Sequence, residues 1–176
     1  MISNIKNRIA NYLAEKKFAK KQKSVVSFQN YFTKANSVLI ILPHFETKLS
    51  TEIIEIIRFI AIHKKKLFLI YKSDLLQYLP NDLEYASLVI SDTDRTKLGL
   101  PTKDLANRMQ KYTFDLVIDL NVEVNIFSSA LANIPKSNFR IGFIKNKSDS
   151  FYNYQIPCEI NHEKSHRNLL NSLRMF

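Results

Sequence analysis

The residues His162-Glu163-Lys164-Ser165-His166 spell HExxH. On a helix, two imidazoles four residues apart share a face and can hold zinc, with the Glu as general base. No third ligand is evident, only ten residues follow, and the neighbours are charged rather than apolar. The expectation is therefore no metal. His44 and Glu46 could form an acid–base pair, although as loop residues they need no role beyond solvation. Asp92-Thr93-Asp94-Arg95 offers two carboxylates to a cation, but an Asp-rich turn is the commoner use of such a segment. Cys158 is the sole cysteine, so no internal disulfide can form. A nucleophilic role would need a neighbouring His, and the expectation is a small core residue. The chain has only two glycines, Gly99 and Gly142, which argues against a Gly-rich phosphate loop. No cofactor and no catalytic residue is expected.

The remaining chemistry is charge. The formal net charge is +10, and residues 1–36 hold eight cations against one carboxylate, Glu15. Lys16, Lys17, Lys20, Lys21 and Lys23 are interleaved with Phe18, and Phe28, Tyr31 and Phe32 follow. A face of like charges can be an ordinary solvated helix surface whose apolar stripe packs on the domain. It can also dock on RNA or a ribosome, where clustered lysines neutralise phosphates and release counterions. An anionic membrane surface is the third candidate, with each Lys contributing ~1 kcal/mol. A protein partner is also open. Lys greatly outnumbers Arg in this arm, which favours charge attraction over bidentate recognition.

The elements that must position these residues follow from periodicity. Residues 2–32 read as helix in one or two pieces, with a first apolar stripe of Ile2, Ile5, Ile9 and Leu13 and a second of Val25, Phe28 and Phe32. Beyond the arm, apolar runs at 37–42, 67–71, 87–91, 114–120 and 140–144 suit strands buried on both faces. Residues 151–156 suit an edge strand. Helices are expected at about 51–65 after the N-cap Ser50, at 74–79, at 102–112 with Pro101 in the first turn, at 126–132, and from the cap Asn161 to about 174. This alternation predicts one α/β Rossmann-like domain, residues 37–176, with a mainly parallel sheet of five to six strands and helices on both faces, behind the helical arm 1–36. In such a sheet ligands lie beyond the carboxyl ends of the strands. His44, Glu46, Asp92 and Asn121 are accordingly the candidate cleft residues. Asp119 falls inside the fourth strand and, if buried, needs hydrogen-bond partners. The most apolar helix is far short of the ~20 residues that cross a bilayer. The start of the chain has no signal-peptide pattern, and a soluble cytoplasmic protein is expected.

The stretch Phe114–Phe143, FDLVIDLNVEVNIFSSALANIPKSNFRIGF, resembles the end of the N-terminal domain of the ADP-heptose lipopolysaccharide heptosyltransferases. Those enzymes show a YDLVIDLQG strand, a SALLA helix and an RRIGF strand. Here the matches are Asp115 to Leu120, Ser129 to Ala132, and Arg140 to Phe143. The helix carrying His162, Glu163 and Arg167-Asn168-Leu169-Leu170 resembles the HxxERNLxLL helix that closes that domain. The resemblance implies a Rossmann-like fold corresponding to the first of the family's two domains, the second of which mainly holds the sugar nucleotide. It also implies where the pattern departs. After the first strand the family has a GxxGD turn whose Asp is taken as the base, and here that segment is Pro43-His44-Phe45-Glu46-Thr47. The Gly after DLQ is replaced by Val122. The expectation is a non-catalytic binding or accessory protein on a degenerate glycosyltransferase-like scaffold, with the basic arm docking on an anionic partner. The competing reading is a minimal or partner-completed glycosyltransferase of cell-envelope polysaccharide synthesis.

Overall fold

The computed structural model describes residues 2–19, 31–44, 46–63 and 65–175; the side chains of residues 2–7 and of Tyr31 are not described. In chain order the elements are α1 (Ile2–Phe18), α2 (Tyr31–Lys34), β1 (Ser37–Ile41), α3 (Thr51–Ile62), β2 (Lys66–Lys72), β3 (Ala86–Ile90), α4 (Lys103–Met109), β4 (Leu116–Asp119), α5 (Ile126–Leu131), β5 (Phe139–Phe143), β6 (Tyr154–Ile156) and α6 (His162–Arg174). Short 3-10 turns occupy Ser73–Tyr78, Asp92–Asp94 and Ser148–Ser150.

The strands form one six-stranded sheet in the order β3-β2-β1-β4-β5-β6, and every pairing is parallel. Side chains alternate across a strand, so a strand with helices on both sides must be apolar throughout. In β1, Val38 and Ile40 enter the core shared with α3 and α6, while Leu39 and Ile41 enter the core shared with α1, α4 and α5. Four of the helices begin on side-chain caps. Ser50, Thr102, Asn125 and Asn161 each accept from backbone N–H groups of the first turn. Pro101 precedes the cap of α4 and bridges to Arg95, so it stands outside the first turn rather than within it.

The arm helix is docked. Ala10, Ala14 and Phe18 are its buried positions, and α1 lies against α5. Of the expected stripe, Ile9 is 47% exposed while Leu13 is partly buried against the same core. Alanines at four-residue spacing let two helix backbones approach more closely than isoleucines would. Glu15 pairs with Lys147 at 2.9 Å and fixes the outer rim of this contact. From the second stripe, Phe32 is buried and stacks on Phe59 with ring centroids 5.4 Å apart, while Val25 and Phe28 lie outside the described residues.

At the amino edge of the sheet, Asp115 accepts from the backbone N–H groups of Asn36 and Ser37 and from the Ser37 hydroxyl. Those bonds hold its carboxyl below the usual carboxylate range and pin the start of β4 to the start of β1. On β5, a Cβ built on Gly142 would lie 2.7 Å from the Tyr152 ring. The missing side chain is what lets that ring lie flat on the strand. Gly142→Ala is expected to lower stability by about 1–3 kcal/mol through this collision. A urea midpoint unchanged from the parent would mean that Tyr152 can leave the strand freely.

Candidate functional site

In the observed strand order the chain runs outward in opposite directions from β1 and β4, so the switch point lies between their carboxyl ends. Ligands of open α/β sheets bind in that crevice. Here it is bridged by Asn121. The Asn121 side-chain oxygen accepts from the His44 N–H at 2.8 Å, and its amide donates to the Leu42 carbonyl at 3.2 Å. Asn125 Nδ2 lies 3.3 Å from the same Asn121 oxygen, while Asn125 Oδ1 caps α5.

Beneath this bridge Asp119 is completely buried, on the face of the sheet that α5 covers. A buried carboxylate must be met by donors. Its Oδ1 accepts from the Asn121 backbone N–H at 3.0 Å and the Asn121 amide at 2.6 Å. Its Oδ2 takes the Tyr152 hydroxyl and lies 3.0 Å from Ser128 Oγ and 3.5 Å from Lys145 Nζ. Lys145 is itself buried and donates to the Asn121 carbonyl at 2.8 Å. Tyr152 also lies 2.9 Å from Ser129 Oγ. Burial first, and then the Asp119 charge, push the Tyr152 hydroxyl well above its ordinary range, so it serves as a donor. Both oxygens of Asp119 thus face the protein's own donors.

The candidate cleft residues divide. His44 is buried and its ring faces Phe127 at 5.6 Å. Its pKa is lowered to about 4, by burial first and then by Arg95 and Lys72, with Asp92 opposing. Glu46 does not share this environment. It sits 4.0 Å from His162 Nδ1, and burial raises its carboxyl while His162 pulls it back. Asp92 is exposed and pairs with Lys72 at 3.4 Å. Asp94 takes the Ser91 N–H and hydroxyl and the Arg108 guanidinium, so this segment is a capped turn.

The HExxH histidines also separate. His166 is buried edge-on to Phe143, and its Nε2–H donates to the Leu120 carbonyl at 2.9 Å, tying α6 to the end of β4. Burial lowers its pKa, partly offset by that carbonyl. His162 stays near the surface with Glu46. Among the described residues no three His, Cys, Asp or Glu side chains gather as a metal site would require. Cys158 is exposed rather than in the core, because its loop leaves β6 over the surface; burial raises its thiol and Lys145 opposes. Lys16 and Lys17 are exposed on α1, whereas Lys20, Lys21 and Lys23 lie outside the described residues. Sequence reasoning assigned no role to Lys72, Arg95, Lys145 or Tyr152. Only their position at or just beyond a strand's carboxyl end could have signalled the first three.

Two outcomes are expected. Lys145→Met should destabilise the fold by about 3 kcal/mol, because it leaves the Asp119 charge buried without its cation; a loss below about 1 kcal/mol in equilibrium urea unfolding would show the pair to be dispensable. The second concerns pH. Both His44 and His166 have lowered pKa values in the folded chain. Below the ordinary histidine value of ~6.5 the unfolded chain takes up protons that the folded chain refuses, so stability should fall as pH drops from there toward 4. The slope should flatten in His44→Gln and in His166→Gln; equal slopes in parent and variants would refute this origin.

Among the described residues no helix is long and apolar enough to cross a membrane. No curated protein matches the chain. Among solved structures, the Escherichia coli heptosyltransferase WaaC with ADP is similar, at 14% identity and a TM-score of 0.48, over 77% of this chain. The match spans 46% of that enzyme's length. A family model described as a family of unknown function, DUF6913, matches residues 6–173. That match covers nearly the whole chain, which therefore belongs to the DUF6913 family.

Proposed function

We propose that this chain is a non-catalytic binding or accessory protein on a glycosyltransferase-like scaffold, and that its basic arm docks on an anionic partner, either RNA or a ribosome or an anionic membrane surface. The observation that carries the arm is its charge after docking. Glu15, the only acid among residues 1–36, is engaged by Lys147 of the domain. Lys16 and Lys17 remain exposed on the same helix, near the rings of Tyr12 and Phe18. Like charges held on one helix repel, and an anionic partner relieves that repulsion. The non-catalytic half of the reading is supported by the switch point. Asn121 spans it, and Asp119 beneath it faces its own side-chain and backbone donors. A base in that position could reach a substrate only by giving up those bonds.

Replacing Lys16, Lys17, Lys20, Lys21 and Lys23 with Gln should leave the circular dichroism unchanged and abolish binding. If the partner is RNA, log affinity of the parent should fall linearly with log salt, by roughly 0.7–0.9 per phosphate neutralised, and the variant should flatten that line. If it is a membrane, the parent should bind anionic vesicles and ignore neutral ones. A parent that binds neither at physiological salt would remove the docking role. Turnover of a nucleotide sugar by the isolated chain would favour the enzyme reading instead.

A further inference from the structure

β1, β2 and β3 end side by side, and each exit brings a nitrogen-bearing side chain to the same place. His44 stands three residues beyond Ile41, Lys72 is the last residue of β2, and Arg95 follows the turn after β3. Arg95 and His44 share a floor, Phe127 of α5, which is fully buried, and Lys72 stands close enough to act on the His44 ring. The Arg95 guanidinium carbon lies 4.7 Å from the Phe127 ring centre, and the His44 ring lies 5.6 Å from it. This cluster is distinct from the Asp119 network: the His44 backbone joins the Asn121 bridge, whereas the charges that act on its ring are Arg95, Lys72 and Asp92.

We propose that the carboxyl edge of β1, β2 and β3 is a binding site for a phosphate-type oxyanion, held by Lys72, Arg95 and His44 against Phe127. The charges support it. Asp94 is engaged by Arg108 and Ser91. Asp92 is the acid that acts on both His44 and Arg95, and it pairs with Lys72. Among the described residues, this carboxylate faces both Lys72 and Arg95. That carboxylate is the movable member, since the Asp92 side chain is 90% exposed while Lys72 is 30% exposed. Asp92 thus occupies the place of a counter-ion that an incoming anion displaces. A guanidinium on an aromatic floor keeps its planar fork of donors fixed, and the lysine adds a point charge beside it, the pairing that suits a phosphate group. Burial and the neighbouring cations hold His44 neutral, and a bound dianion reverses the sign of that field and draws a proton onto the ring. The site uses side chains, so it needs no Gly-rich loop. None of its residues lies in the arm, so this inference and the docking reading can fail independently.

The test is a titration of the full chain with inorganic phosphate at constant ionic strength, read by NMR of the histidine rings, with His44→Gln assigning the signal. The His44 signal should move saturably. Its midpoint, about 4 in the free protein, should rise when phosphate saturates. Arg95→Gln and Lys72→Gln should each weaken binding by about tenfold or more, and Asp92→Asn should tighten it. Lys72→Gln alters a side chain at the rim and keeps the test open if Arg95→Gln fails to fold. A second titration with adenosine monophosphate separates the sources: tighter binding than inorganic phosphate marks a phosphomonoester ligand, equal or weaker binding marks the free ion. No saturable movement up to about 20 mM phosphate, or unchanged affinity in folded Lys72→Gln, would overturn the proposal.

Discussion

The buried carboxylate of Asp119 is the constraint on which the architecture around it depends. A charge with no solvent access must be met by donors, and Asp119 draws them from four separate places: the turn after β4, α5, the residues after β5, and Tyr152 before β6. Meeting that demand fixes the distance between β4 and α5 and seats Tyr152 on Gly142, where any side chain would collide with it. Asp119, Ser129 and Gly142 come from three separate elements and all converge on Tyr152. Arg140, from the same strand as Gly142, is buried and donates to the Ala132 and Pro135 carbonyls at the end of α5.

The carboxyl edge of the sheet is consequently divided in two. On the β4–β5 side, Asp119, Asn121, Lys145 and Tyr152 face one another. On the β1–β3 side, Arg95 lies over an aromatic ring, and the exposed carboxylate of Asp92 acts on it and pairs with Lys72. Binding follows unequal compensation: a site whose hydrogen bonds are complete gains nothing from a ligand, whereas a site with mobile compensation exchanges it. The arm adds a second surface of excess positive charge on α1. Its helix meets α5, the same helix that supplies Ser128 to Asp119 and Phe127 to the cationic edge.

What the sequence determined by itself was the fold. A strand such as SVLII is apolar on both faces, which suits a strand buried between two helical layers, so the parallel sheet and its flanking helices were legible from the sequence. The caps Ser50 and Asn161 were legible for the same local reason: a side chain reaching N–H groups two or three residues on needs no tertiary partner. Choices between local alternatives were left to tertiary structure. The arm carries both an isoleucine stripe and an alanine-based one, and the close approach to α5 selects Ala10, Ala14 and Phe18 while leaving Ile9 exposed. Asp119 could be read as a buried acid needing partners, but Lys145 and Tyr152 lie 26 and 33 residues further along the chain. His44 and Glu46 are neighbours in sequence, yet one turns toward Arg95 and the other toward His162. Such pairings arise only when strand order brings distant loops to one edge, and strand order is set by the packing of the whole sheet rather than by any segment of it.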